Sequence, residues 1–482
     1  MSVPATVAPG APTQDGRDQL TLAIDRAAGA RPVGGNRLEH HPDSPRALAA
    51  MLAGIATARS RIHFENYIIR DDRTGRRFAD ALEERARAGV RVRVLYDAIG
   101  SLGTAGRYWR SMRRAGVEVR AFHPLGVSRP LDLLARDHRK LLVTDGAWAM
   151  IGGLCIGDEW AGDPARGRRP WRDTMVAVSG PAAAVLDGAF AHNWGRAGPA
   201  LPPDELTSDP AASGSSTVRV VEGIPGQARV YRAVQLLAAS AAERLWITDA
   251  YLIAPAPLYA SLVDAARSGV DVRLLVPGAS DLVLLRNFTR IGYRDLLRAG
   301  VRVFEYEGPM IHAKTIIVDR RWARVGSSNL NVSSLLTNYE LDLVAECEQL
   351  TDDLTAQFRR DLSSSREIVL RARRTPLPPR LVGAPAAAGE RVGAGVGPPD
   401  APHRRSGYEL GAVAVVALRR VAGGLRRAVA STAALACGAV GALLLVLPRV
   451  MAVILAAFAF SLATSFGIYA FERRRARDAD DA

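Results

Sequence analysis

The sequence predicts an α/β protein: two duplicated α/β halves around one active site, followed by a C-terminal α-helical transmembrane hairpin. Three observations predict it. The stretch "DHRKLLVTDGAWAMIGGLC", Asp137 to Cys155, has a second copy in "MIHAKTIIVDRRWARVGSSN", Met310 to Asn329. The segments before each copy also repeat, in the order strand, helix, strand, helix, strand. Two uncharged apolar runs lie near the C-terminus, Ala428 to Leu447 and Val450 to Phe471.

The opening stretch, "MSVPATVAPGAPTQDG", lacks the basic-then-apolar pattern of a secretory signal. Its Pro/Ala/Gly-rich composition predicts disorder over residues 1–41. The first half is expected at 42–199 and the second at 217–373, joined by "LPPDELTSDPAASGSS". Within them "RIHFENYIIRDD" matches "RLWITDAYLIAP", and "ARAGVRVRVLYD" matches "ARSGVDVRLLVP". Continuous apolar runs such as "VRVRVLY" suit parallel strands covered on both faces. Segments such as "FADALEERARAG" end at glycine, as helices often do. Residues 374–407 read as a flexible linker rich in Pro, Gly and Ala, and 408–482 as a membrane-associated region.

The chain has 482 residues, enough for two or three domains. Its net charge of +14 points to anionic partners, and nucleic acid or anionic lipid both fit. Cys155, Cys347 and Cys437 are far apart and lack metal-ligand spacing. The composition therefore excludes a disulfide-framed secreted domain and implies a reducing compartment.

A strand alternates its faces with period two, so His138 and Lys140 share a face, as do His312 and Lys314. Those two lysines are the only ones in the chain, and every other member of its 63 Lys+Arg is arginine. Lysine is a compact point charge and arginine a wide planar fork, so the two places need the compact charge. Two imidazoles and two ammonium groups in one cleft suit a phosphate. One histidine can attack phosphorus. The other can protonate the departing oxygen and then activate the incoming alcohol or water. The turn N–H groups around Gly153 and the hydroxyl of Ser327 are expected to bind the non-bridging oxygens. No Asp/Glu cluster has metal-site spacing, so no metal or other cofactor is expected.

A working imidazole has its second nitrogen held by a carboxylate. Asp173 in "WRDTMVAV" and Glu340 in "NYELDLV" occupy matching places after the two motifs and are assigned that role. Asp145 and Asp319 lie too far along their strands to reach the same-motif histidine and are read as structural. His40, His41, His63, His123, His192 and His403 have no partner pattern and are read as structural or surface residues.

At these residues the chain resembles the phospholipase D superfamily, whose signature His-x-Lys-x4-Asp-x6-Gly-Ser-x-Asn occurs twice. Residues 310–329 match it in full at His312, Lys314, Asp319, Gly326, Ser327 and Asn329. The first copy departs at Gly153, a variant of the bacterial cardiolipin synthase branch, and at Cys155, where asparagine is usual. "FENYIIRDDRTG", "IGGLCIGDEWAG" and "PWRDTMVAVSGPA" also look like that branch. The resemblance implies two packed α/β halves, a phosphohistidine intermediate with His138 favoured as nucleophile, and Asn329 on the phosphate. It implies transfer of a phosphatidyl group to phosphatidylglycerol, giving cardiolipin. Hydrolytic phospholipase D, other headgroup transferase, nuclease and catalytically inactive membrane-scaffold readings stay open beside it.

Each C-terminal run has the roughly 20 residues that a bilayer core requires. Arg426 and Arg427 precede the first, and Arg473, Arg474, Arg475 and Arg477 follow the second. The positive-inside rule then puts both flanks, and the catalytic part, on the cytoplasmic side of a bacterial-type inner membrane. A membrane tether favours a phospholipid over a nucleic-acid substrate.

Overall fold

The computed structural model describes residues 14–124, 135–206 and 208–370. The first half runs α1 (Gln14–Ala28), β1 (Val33–His41), α2 (Ser44–Thr57), β2 (Arg61–Asn66), α3 (Arg73–Arg87), β3 (Arg91–Asp97), α4 (Gly106–Arg114), β4 (Glu118–Phe122), β5 (Lys140–Thr144), β6 (Trp148–Gly152), α5 (Asp158–Ala161), β7 (Met175–Ser179) and α6 (Pro181–Arg196). The second runs β8 (Ser216–Gly223), α7 (Arg229–Ala239), β9 (Arg244–Thr248), α8 (Ala256–Arg267), β10 (Asp271–Pro277), α9 (Val283–Arg298), β11 (Arg302–Tyr306), β12 (Thr315–Val318), β13 (Trp322–Gly326), β14 (Glu340–Glu346), α10 (Glu348–Ser363) and β15 (Ser365–Ile368).

The strands join in one sheet ordered β15-β11-β10-β9-β12-β13-β14-β8-β1-β7-β6-β5-β2-β3-β4. Each half contributes three parallel strands, β2-β3-β4 and β9-β10-β11, and an antiparallel run beside them. The halves meet where β1 pairs with β8. The expected repeat of strand and helix holds in both halves. β2 is buried along its whole length although four of its six residues are polar, and the apolar run of β3 is buried from Val92 to Leu95.

Residues 14–41, expected to be disordered, form α1 and β1. β1 bridges β7 and β8, so it closes the sheet between the halves. Ile24 and Ala28 of α1 are buried in the core of the second half, with Val230 and Leu237 of α7. The spacing Leu20, Ile24, Ala28 is the helical signal that low-complexity composition hid. Among the described residues no helix is long and apolar enough to cross a membrane. The apolar runs at 428–447 and 450–471 lie outside the described residues, as do His403 and Cys437.

Candidate active site

Each motif enters the sheet on a strand antiparallel to its neighbour. Lys140 at the start of β5 pairs with Asn66 at the end of β2, and Thr315 with Thr248 at the end of β9. His138 and His312 therefore sit just outside the C-terminal edges of β2 and β9, where open α/β sheets bind ligands.

Backbone hydrogen bonds between the halves fix both histidines. His138 N–H donates to the carbonyl of Tyr339 at 2.9 Å, and His312 N–H donates to that of Arg172 at 2.7 Å. The next residue on each acceptor strand is a carboxylate. Glu340 meets His138 Nδ1 with both oxygens at 3.0 Å, and Asp173 Oδ2 meets His312 Nδ1 at 2.7 Å. The pairing is crossed: each half orients the other half's imidazole.

All four groups are buried, as are Lys140 and Lys314. Burial pushes both histidines below the usual imidazole range, the lysines add to this, and the carboxylates only partly offset it. Lys314 acts on both imidazoles, and so does Lys140, which puts the two motifs in one electrostatic field. Burial raises the affinity of Glu340 and Asp173 for a proton, but their bonded histidines outweigh that and hold both below the usual carboxylate range. Near neutral pH each Nδ1–H then donates to an ionised carboxylate, which leaves Nε2 with its lone pair. Lys314 is brought down to about 8, chiefly by burial. Its Nζ lies 2.8 and 3.0 Å from the ring nitrogens of His312, and each lysine also donates to the carbonyl of its own motif histidine.

The small-residue turns take another part than expected. Ser327 Oγ donates its only proton to Glu340 Oε2 at 2.5 Å and accepts from Leu341 N–H at 2.9 Å. The backbone N–H groups of Gly153 and Ser327 bond to Thr174 and Leu341. Neither residue has a spare donor for a phosphate, and Ser327 instead holds the carboxylate that orients His138. At Gly153 a Cβ would stand 2.3 Å from Asp173 Oδ1. Aspartate is one methylene shorter than glutamate, so its carboxylate occupies the space that the serine hydroxyl fills in the other half. Asn329 is buried with Oδ1 unpartnered. Cys155, its counterpart, is buried with a free thiol.

Asp145 and Asp319 sit far from the imidazoles and staple the two turns. Asp145 accepts from the N–H groups of Arg59, Ser60 and Arg61 at 2.7–3.0 Å. Asp319 accepts from Ala242, Glu243 and Arg244. Both have positive φ, 55° and 52°, a conformation that aspartate tolerates better than most residues.

Aromatic rings pack against both histidines, a feature that motif spacing alone does not reveal. Tyr67 meets the His138 ring edge-on at 4.8 Å, with the Lys140 ammonium 5.1 Å above its own ring. Trp160, Trp171 and Tyr251 stand 5.5–6.0 Å from His312, and Trp160 Nε1–H donates to Asp173 at 3.2 Å. The signal for Tyr67 and Tyr251 was the tyrosine at matching places in "FENYII" and "TDAYLI". His63 is buried against Asp187 at 2.6 Å and His192 reaches Glu222 at 3.0 Å, bonds to carboxylates other than Asp173 and Glu340.

Comparison with known proteins finds relatives of one family. A family model described as "Cardiolipin synthase, PLD-like domain" matches residues 51–159 and 235–362. The chain is 34% identical over 357 residues to a cardiolipin synthase A of Pseudomonas aeruginosa (strain LESB58), covering 73% of this chain and 72% of that one. It is 36% identical over 324 residues to a cardiolipin synthase A of Pseudomonas syringae pv. syringae (strain B728a), covering 66% and 67%. Its fold is similar to a crystal structure of phosphatidylserine synthase from Haemophilus influenzae Rd KW20, with a TM-score of 0.58 at 15% identity over 73% of this chain and 92% of that one.

Proposed function

Because this chain belongs to the cardiolipin synthase family of phospholipase D-like proteins, we propose that it is a phosphatidyl transferase moving a phosphatidyl group onto the headgroup hydroxyl of phosphatidylglycerol. The crossed pairing of His138 with Glu340 and His312 with Asp173 carries the reading. It supplies two oriented imidazoles, each with Nδ1 held by a carboxylate, and Lys314 Nζ stands 3.0 Å from Nε2 of His312.

His138 Nε2 attacks phosphorus, and the P–O bond to the departing alcohol breaks. His312 gives its Nε2 proton to that oxygen. The anionic phosphodiester supplies the charge that raises His312 to its protonated form, against the pull of Lys314. The neutral His312 then takes the proton of the incoming hydroxyl, whose oxygen displaces His138 from phosphorus. When the donor is a second phosphatidylglycerol, glycerol leaves and cardiolipin forms. Lys140 and Lys314 offset charge on the non-bridging oxygens, and the family signature assigns the amide N–H groups of Asn329 to the same oxygens.

We assign the catalytic halves to the cytoplasmic face of a bacterial-type inner membrane, tethered by the hairpin at 428–447 and 450–471. The support is the length of both runs and their flanking arginines. Deletion after Ser406 is expected to release the protein from membranes.

The test is to incubate purified protein with phosphatidylglycerol vesicles and look for cardiolipin and glycerol by mass spectrometry. Phosphatidic acid as the sole product would replace transfer by hydrolysis. No product from any phospholipid would remove the enzymatic reading.

A further inference from the structure

Loops after β3, β9, β10 and β13 carry exposed apolar side chains. In the first half, Ile99 and Leu102 (65% exposed) lie between β3 and α4. That loop is tied to the site, because Ser101 Oγ donates to the carbonyl of Tyr67 at 3.1 Å. In the second half, Leu282 (45% exposed) follows Asp281, which accepts the Tyr251 hydroxyl at 2.8 Å. Ile253 stands two residues beyond Tyr251. Val332 follows Asn331, whose side chain donates to the Tyr251 carbonyl at 3.2 Å.

These five side chains gather around the two tyrosines that edge His138 and His312. They are half of the ten large apolar side chains exposed among the described residues, so they are not the random scatter of a soluble surface. Cations accompany them. Arg168 and Arg169 are exposed on the segment leading to Trp171, and neither pairs with a carboxylate among the described residues.

We propose that this rim docks on an anionic phospholipid bilayer and seats the cleft over the headgroups. The inference rests on the phospholipid-substrate reading above and adds the surface that meets the lipid. A bilayer phosphodiester lies at headgroup depth, so a buried histidine reaches it only if the rim comes down to the interface. Apolar tips enter the headgroup–acyl boundary, while guanidinium groups stay with anionic headgroups. The rim spans both halves and so levels the mouth of the cleft against the membrane plane.

The test uses the full-length protein with Leu102→Asp and Leu282→Asp combined, assayed on phosphatidylglycerol vesicles and on short-chain phosphatidylglycerol dispersed as monomers. The rate on vesicles is expected to fall at least about tenfold, with the monomer rate within about twofold of wild type. Leu22→Asp on α1, outside the rim, should match wild type on both. An unchanged vesicle rate, or equal loss on both substrates, overturns the proposal. A turnover-independent readout runs beside it: a benzophenone-bearing residue in place of Leu102, photolysed on vesicles, should capture lipid, and the same residue in place of Leu22 should not. Capture of a second protein copy instead of lipid also overturns docking. Lipid capture without any cardiolipin product would overturn the proposed reaction and leave the docking surface standing.

Discussion

At the residue scale the site is a set of paired protons. Each imidazole is useful only while its Nδ1–H is held and its Nε2 faces the cleft. His138→Ala and His312→Ala should each lower turnover by about 10³-fold or more, and an unimpaired single variant would end the two-histidine scheme. Glu340→Gln keeps the shape but can present an N–H to Nδ1, favouring the wrong tautomer. We expect a kcat loss of about 10²–10⁴-fold with KM little changed, measured by initial rates. The pH profile has a sign. Lys314 is charged below about 8 and neutral above, so kcat/KM should decline as pH rises through that value. Acid inactivation should set in below the usual imidazole range, because His138, which must be neutral to attack phosphorus, is pushed down by burial. Activity flat well above pH 8 would show that Lys314 does not carry the phosphate charge. Lys314→Arg should not rescue, since the planar fork does not fit a space shaped for an ammonium.

At the scale of elements, the motif aspartates fasten turns. Asp145 holds the β5–β6 turn to the start of β2, and Asp319 holds the β12–β13 turn to the start of β9. Replacing either by alanine should cost about 1–3 kcal/mol and lower Tm by several degrees, with kcat nearly unchanged, measured by thermal denaturation. For Asp145 burial opposes ionisation, but bonds from Arg61, Ser60 and Arg59 N–H outweigh it and depress the carboxyl. Its contribution is therefore full at neutral pH and fades as pH falls through that depressed value. The β6–α5 turn gives a sharper test. Gly153→Ser would match the superfamily signature yet drive a Cβ into Asp173. It should lower turnover through His312 and leave the His138–Glu340 pair intact. A gain in activity would show that Asp173 has room to move.

At the scale of the whole molecule, the halves are braced by buried contacts that make one catalytic unit of two repeats. Arg172 grips Asp361 of α10 through two bonds at 3.1 and 2.8 Å, and its own carbonyl receives His312 N–H. Asp361→Ala would leave a buried guanidinium unpaired, at a cost of about 3–5 kcal/mol. It should also displace the segment bearing Asp173, so Tm and kcat are expected to fall together. A loss of Tm with unaltered kcat would mean that the brace acts on stability alone. Ile24→Asp in α1 should likewise destabilise the second half, although residue 24 precedes the first, because its side chain is buried against α7.

The α/β class, the duplication, the two His–Lys pairs and both orienting carboxylates were legible in the chain, because repeat period, strand alternation and residue scarcity are local or self-similar signals. Pro/Ala/Gly-rich composition masked α1 and β1, whose order comes from partners far along the chain, β7 and β8 for β1 and α7 for α1. Nor could spacing tell that Ser327 serves Glu340 rather than a phosphate, or that Gly153 makes room for Asp173. The decisive feature is the exchange of carboxylates between halves, across separations of 202 and 139 residues. Sequence ranks neighbours along the chain, whereas this pairing is set by strands from opposite halves meeting edge to edge, and only the packed sheet brings those edges together.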